Sequence, residues 1–393
     1  MVLFLHNRYR TLGGEERAVE ELAWVVRERV GEPVELLARS SGELRRGAAA
    51  LGLLRGGDDP DEVARAVSAS GARVVHAHNL LPSFGWRALA AARASGARVV
   101  LHLHQYRLVC AIGVCYTQGA ECTRCHGRNT LPGVRLNCRG SRPEAAAYGA
   151  SLALWQRRLV RQADAIVVPS AFARERLRAL GAPLPWERVH VIAPPLRALD
   201  ADGSPPAGAV AGSAGPPAAE APPGDAYALL VARLAPEKGV DVAIEACRAA
   251  GIALVIAGDG PERAALEASA GDRGGGRFAA RFVGRVDDGE LARLRAGAAI
   301  ALAPSRSAET FGLAAAEAMA AGVPVAASRV GALAELVEPD GLVPAGDAAA
   351  LAATIARLAG DRAAGARGRE RVRAVCAPDV VAEKLAKLYD GRT

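Results

Sequence analysis

Residues 228 to 239 read A-L-L-V-A-R-L-A-P-E-K-G, a strand-like apolar run that gives way to a loop carrying Arg233, Lys238 and Gly239. The same alternation recurs along the chain. Strand-like runs fall at Val2-Leu5, Arg73-His78, Arg98-His104, Ala165-Val168 and Val189-Ile192, with helix-like stretches such as Glu15-Arg29 and Trp86-Ser95 between them. A second series comprises Ala228-Val231, Ala253-Ala257, Arg281-Val283, Ala299-Leu302 and Pro324-Ala327, and a helix-like Val380-Tyr389 closes the chain. Short apolar, β-branched runs alternating with helices imply parallel sheets covered on both faces. Between the two series, residues 200–226 are almost entirely Ala, Gly, Pro and Ser, a composition that cannot bury a core and reads as a linker. The fold class expected is α/β: two doubly wound, Rossmann-like domains, 1–199 and 227–376, facing a central cleft with ligands at the C-terminal ends of both sheets.

At 393 residues, two domains of this size each bury a proper core. Hydrophobic residues make up 51% and charged residues 23%, a soluble globular composition. No apolar run approaches bilayer length, and Val2-Leu5 is too short and lacks the basic flank of a signal peptide, so a cytoplasmic location is expected. The net charge of +7 is small for this length and is carried almost wholly by arginine, which makes Lys238 informative.

Ser305 to Gly322 reads S-R-S-A-E-T-F-G-L-A-A-A-E-A-M-A-A-G, with Glu309 ahead of a run of helix formers, Thr310, Phe311 and Gly312 opening the helix, and Glu317 inside it. A helix start offers unpaired amides and partial positive charge to a phosphate, and carboxylates accept hydrogen bonds from vicinal sugar hydroxyls. On spacing alone, an alanine-rich helix with two solvated glutamates accounts for the pair equally well. Arg233 and Lys238, five positions apart on a strand-to-helix loop, could clamp a diphosphate; solvated loop cations are the plain alternative. Gly258-Asp259-Gly260 and Gly284 end strands where backbone could approach a ligand or simply turn. Gly13 and Gly14 between the first strand and helix admit a phosphate or sugar, yet lack the three-glycine spacing of a dinucleotide site, which disfavours a nicotinamide cofactor. His102 and His104 end a strand that points into the expected cleft, or are satisfied structural histidines.

Five of the seven cysteines, Cys110, Cys115, Cys122, Cys125 and Cys138, fall in one loop-like insertion, and Cys122-Thr-Arg-Cys125 has the spacing of half a zinc site. The second half lacks a matching short-spaced pair, so structural zinc and free thiols both stand. Aromatic residues are 4% and are not interleaved with arginine, which argues against nucleic-acid binding; a zinc-stabilised binding protein is the rival from outside the enzymes.

Together these segments resemble the retaining glycosyltransferases of family 4, the group 1 glycosyl transferases with the two-Rossmann-domain architecture called GT-B. The resemblance runs through Gly13-Gly14-Glu15-Glu16, Leu103-His104-Gln105-Tyr106-Arg107, Pro169-Ser170-Ala171-Phe172, Arg233 to Gly239, Gly258-Asp259-Gly260-Pro261, Pro304 to Glu317 and Ala321-Gly322-Val323-Pro324-Val325. The cysteine-bearing insertion is similar to that of a subset of these enzymes. The resemblance implies that Arg233 and Lys238 hold the donor diphosphate, Glu317 the ribose and Glu309 the transferred sugar. Phe311, Gly312 and Leu313 would supply amides, Gly14 would approach the phosphate, and His104 would contact the sugar near the reacting carbon. It also implies that the C-terminal helix, 377–393, crosses back to complete the first domain.

The expected activity is metal-independent transfer, with retention, from a nucleotide-sugar, a UDP-sugar first with GDP and ADP conjugates open. The acceptor is a hydroxyl of a glycan, lipid or small molecule, for which Arg8, Arg10, Asn79 and the cysteine loop are candidates without roles, and peripheral membrane contact stays open. No carboxylate pair is placed as nucleophile and acid across a sugar, which argues against a glycoside hydrolase. A nucleotide-sugar epimerase on the same scaffold is the alternative within enzymes.

Overall fold

A computed structural model describes residues 1–8, 13–42, 44–200, 226–271 and 278–392, so the body of the linker expected at 200–226, and Arg10, lie outside the described residues. The chain divides into two compact units, one formed by residues 1–117, 121–195 and 378–393 and the other chiefly by 196–377.

The first unit is built on a six-stranded parallel sheet: β1 (Val2–Arg8), β2 (Val34–Ser40), β3 (Val74–Ala77), β4 (Arg98–His102), β7 (Ala165–Val168) and β8 (Val189–Val191), in the order β2-β1-β3-β4-β7-β8. Two further strands of two residues each, β5 (Tyr116–Thr117) and β6 (Ala120–Glu121), pair in the insertion that follows β4. Alternate residues of β1 feed opposite faces. Leu3 and Leu5 join the core beneath the helices Pro60–Ser70 and Gly85–Ala94, whereas Val2 and Phe4 pack with Val19, Leu22 and Val26 of the helix Gly14–Glu28. Burial on both faces is why β1 is apolar at every position from Val2 to Leu5. The final helix, Pro378–Tyr389, joins that second face through Val381, Leu385, Leu388 and Tyr389.

The second unit repeats the plan with β9 (Tyr227–Val231), β10 (Ala253–Ala257), β11 (Ala280–Gly284), β12 (Ala298–Ala303), β13 (Val325–Ser328) and β14 (Leu342–Val343), all parallel, in the order β11-β10-β9-β12-β13-β14. Ala228 and Leu230 of β9 face one core and Tyr227 and Leu229 the other.

Four strands were not foreseen, two of them the two-residue pair β5 and β6. β2 is an edge strand with a largely exposed pattern, V-E-L-L-A-R-S, and β14 is only two residues long, so neither makes the apolar run that marks the others. β4 closes at His102, which leaves His104 two residues beyond it. Among the described residues no helix is long and apolar enough to cross a membrane.

Candidate functional site

In an open parallel sheet, ligands bind outside the carboxyl ends of the strands where the strand order reverses. In the second sheet that point lies between β9 and β12. The loops leaving these two strands are 232–239 and 304–312, the two segments singled out from sequence. Their backbones are tied together: the Glu237 carbonyl accepts from the Arg306 amide at 2.8 Å and the Ser307 amide at 3.4 Å. The loop after β10 joins them, with the Leu234 amide donating to the Asp259 carbonyl at 3.0 Å. Gly258 has φ +137°, and a Cβ there would stand 1.9 Å from the Ala232 carbonyl oxygen. Its glycine is demanded by close approach of the chain's own loop. Gly284 likewise serves the framework, its carbonyl accepting from the Gly258 amide at 2.6 Å.

Lys238 and Glu309 meet in this cluster. The Lys238 ammonium and the Ser305 hydroxyl each donate to Glu309 Oε1 at 2.6 Å. Arg233 ion-pairs with Glu237, which is 9% exposed, while the Arg233 side chain stays 48% exposed. Burial pushes the Glu309 carboxyl up, but the charge of Lys238, the hydrogen bonds from Lys238 and Ser305 and the charge of Arg233 together outweigh it, and the pKa is lowered. An ionised carboxylate is thus held among cations.

The helix expected from Thr310 begins at Leu313 and runs to Ala320, because Gly312 takes the left-handed conformation (φ +92°) as its N-cap. Thr310 and Phe311 are therefore part of the loop, and the Phe311 side chain is buried. As at any helix start, the first amides have no partner within the helix. Glu317 lies inside this helix and is buried against Arg295 of the helix Asp288–Gly297, with which it forms an ion pair. Arg295 was not foreseen from sequence, since one arginine on an ordinary helix carries no motif. Ser305 and Glu237 were within the quoted segments, without a role.

The corresponding switch point of the first sheet lies between β1 and β3. Gly13 is the N-cap of the helix Gly14–Glu28, and its amide donates to Glu16 Oε2 at 2.9 Å. Gln105 Nε2 donates to Glu15 Oε2 at 3.0 Å. Asn79 is buried and donates to the Asn7 carbonyl at 2.6 Å, a structural bond, whereas Arg8 is exposed at the end of β1. Ser170 caps the helix Ala171–Ala179, accepting from the Ala173 amide at 2.9 Å.

His104 is the end of a histidine stack not anticipated as a unit. His78 Nδ1 lies 3.0 Å from His104 Nε2, His102 Nδ1 lies 3.2 Å from His76 Nε2, and His76 Nδ1 lies 2.7 Å from the Tyr389 hydroxyl. The His102 and His104 rings stack at 4.2 Å and 4°. Burial first, then neighbouring histidines, hold the pKa of all four below the ordinary value, that of His76 at about 3, so the stack is neutral. Among the described residues, His78 Nε2 and His102 Nε2 are buried without a hydrogen-bond partner.

The five insertion cysteines converge. Cys110, Cys115, Cys122, Cys125 and Cys138 line one small cavity, together with Ala111, Ile112, Pro132 and Leu136, and none is in a disulfide. The Cys115 thiol hydrogen-bonds Cys110 and, with nearby backbone amides, lowers Cys110 to about 6, while the same contact pushes Cys115 up.

Two parallel-sheet α/β units of this kind are the architecture called GT-B, and two family models match the chain: Glycosyl transferase 4-like domain over residues 4–195 and Glycosyl transferases group 1 over residues 216–374. The chain belongs to the group 1 glycosyltransferases of the family 4 type. It is similar to the GDP-mannose-dependent alpha-(1-6)-phosphatidylinositol dimannoside mannosyltransferase of Mycobacterium tuberculosis, 44% identical over 114 residues, 28% of each chain. It is also similar to the 2-deoxystreptamine glucosyltransferase of Streptomyces kanamyceticus, 37% identical over 142 residues, 34% of this chain and 36% of that one. The matched stretch thus spans well under half of these relatives' length. Among solved structures, sucrose-phosphate synthase from Thermosynechococcus elongatus superposes with a TM-score of 0.65 at 20% identity, covering 100% of this chain and 99% of that one. Anabaena HepE in complex with UDP and glucose superposes with a TM-score of 0.61 at 16% identity, covering 100% of both chains.

Proposed function

We propose that this protein is a hexosyltransferase that moves a sugar from a nucleoside-diphosphate sugar to an acceptor hydroxyl with retention of configuration. The observation that carries the reading is the Lys238–Glu309–Ser305 cluster, with Arg233 beside it, at the switch point of the second sheet and ahead of the helix start at Leu313. As the sugar–phosphate bond lengthens, negative charge grows on the departing diphosphate. Arg233, Lys238 and the amides of Phe311, Gly312 and Leu313 would act where that charge develops, the role a divalent ion plays elsewhere, so we infer metal-independent transfer. Glu309 would accept hydrogen bonds from hydroxyls of the transferred sugar, and Glu317 from the ribose. On the first unit, Gly13 and Gly14 would lie against the phosphate. His104, kept neutral, would contact the sugar near the reacting carbon, and the departing phosphate would take the acceptor proton from the same face. The first unit would be the acceptor side.

The named relatives are transferases, which leaves the epimerase alternative without support. The HepE structure holds UDP and the mycobacterial relative is GDP-mannose-dependent, so both nucleotides belong in the test. Thermal shifts with UDP, GDP, ADP and their sugar conjugates are compared for the wild type and Glu309→Gln, followed by turnover with and without acceptor glycans, lipids and small alcohols. A shift with one nucleotide and turnover that needs an acceptor are expected. Turnover of donor to an epimer without acceptor, or no shift with any nucleotide, overturns the reading.

A further inference from the structure

The segment from Leu103 to Ser141, between β4 and the helix Arg142–Arg161, holds itself with little regular structure: a three-residue turn of 3-10 helix, the two-residue strands β5 and β6, and a five-residue helix, Leu131–Arg135. Connections longer than about 12–15 residues without regular structure of their own are uncommon inside a compact domain, and this one is anchored in the core at its near end by Tyr106, Leu108, Val109, Cys110 and Cys115. Its five thiols, spread over 29 positions of sequence, all face one cavity whose other walls include Ala111, Ile112, Pro132 and Leu136. No His, Asp or Glu lines that cavity, and beside the thiols its side-chain donors are the hydroxyl-bearing Tyr116 and Thr117, so the thiols are its soft ligands. Thiolates without oxygen ligands select zinc over the hard cations, and four of them close a structural site with no open position for substrate.

We propose that Cys110, Cys115, Cys122 and Cys125 hold one structural zinc ion that pins this insertion. Cys138 is the odd thiol, because its Sγ contacts Thr117 Oγ1 at 3.5 Å. The other four line the same cavity, and the Cys122 amide donates to the Cys115 carbonyl at 2.7 Å, which ties two arms of the insertion together beside it. Binding converts four thiols to thiolates and releases their protons, with no oxidant or reductant involved. In the metal-free arrangement these sulfurs stand wider than a tetrahedron; among the described residues the group of three donors within 4.8 Å of one another is His76, His78 and His102. Zinc would therefore draw the four sulfurs closer together.

The test is elemental analysis of the full chain purified from zinc-supplemented culture, in the wild type, Cys122→Ser/Cys125→Ser, Cys138→Ser and His78→Gln. The expected result is one zinc per chain in the wild type, Cys138→Ser and His78→Gln, released by a mercurial thiol reagent, and background zinc in the double variant. If the double variant does not fold, alkylation of native wild type decides: zinc should shield these four thiols, and a chelator should expose them. Wild type without zinc, zinc lost with His78 but kept in the double variant, iron with visible absorption in place of zinc, or four thiols alkylated equally with and without chelator would each overturn the assignment.

Discussion

Lys238 and Ser305 donate to the same oxygen, Oε1 of Glu309, each at 2.6 Å, so one carboxylate atom takes both bonds that orient the side chain. Glu309→Gln keeps the shape but removes the negative charge that Lys238 faces. Turnover is expected to fall by about 10²–10³-fold, as for the loss of one preorganised group at a reacting centre. A circular-dichroism melt should show an intact fold. Unchanged kcat in a folded variant removes Glu309 from the site.

Lys238→Ala should move the acid limb of the pH–activity profile upward. Burial raises the Glu309 pKa and the Lys238 charge is the leading influence that lowers it, so removing Lys238 lets burial prevail. In the wild type, the lowered pKa contributes stability that is complete above the ordinary carboxylate value and is lost as pH falls through the folded value. A titration of kcat/KM for both proteins reads the shift, and coincident acid limbs contradict it.

Arg295→Ala should be among the most destabilising single changes in the second unit, about 3–5 kcal/mol, because it leaves the buried Glu317 carboxylate without its ion-pair partner. Glu317→Ala removes the same ion pair from the side of Arg295. Loss of nucleotide binding in either variant must therefore be read beside urea melts, and Glu317→Gln is the milder probe of the ribose contact.

The histidine stack predicts acid lability. His76, His78, His102 and His104 all have folded pKa values below the ordinary one, so the unfolded chain takes up protons first. Their contribution is complete above the ordinary histidine pKa of about 6.5 and fades below it, down to about 3 for His76. The Tm should drop between about pH 7 and about pH 5. Tyr389→Phe, which strips His76 Nδ1 of its partner, should cost about 1–3 kcal/mol at neutral pH.

Gly258→Ala should cost about 1–3 kcal/mol or more, since both its φ of +137° and the Ala232 carbonyl oppose a side chain. Gly251 is a fair control, with φ +67° at a helix end and nothing within 4 Å of a Cβ, where alanine should cost about 1 kcal/mol. Equal losses in a melt would refute the close-approach account.

Strands buried on both faces were legible because burial forces an unbroken apolar run: Ala165–Val168 and Ala253–Ala257 match the sequence reading end to end. β2 was missed because an edge strand needs no unbroken apolar run: Glu35 and Arg39 interrupt it, and Arg39 is held by Glu62 and the Asp58 and Ser83 carbonyls instead of by apolar packing alone. Lys238 and Glu309 were found through motifs, yet their direct bond was not, since contact across 71 residues leaves no periodic trace. Arg295 and the histidine stack were invisible for the same reason: sheet order and helix packing assemble them, and neither is written in local spacing. The cysteines were the reverse case. Their crowding in sequence flagged the insertion, but only folding shows that all five face one cavity.

The helix Pro378–Tyr389 supplies part of the wall over Val2 and Phe4 and the hydroxyl that ends the histidine stack. A strand and a helix that lie on opposite sides of the second unit in sequence therefore cover one face together. A protease cut in the segment that joins the second unit to Pro378 would loosen that cover and bare an apolar surface of the first unit to chaperones. Damage at one point of the chain would be read out at a strand hundreds of residues away.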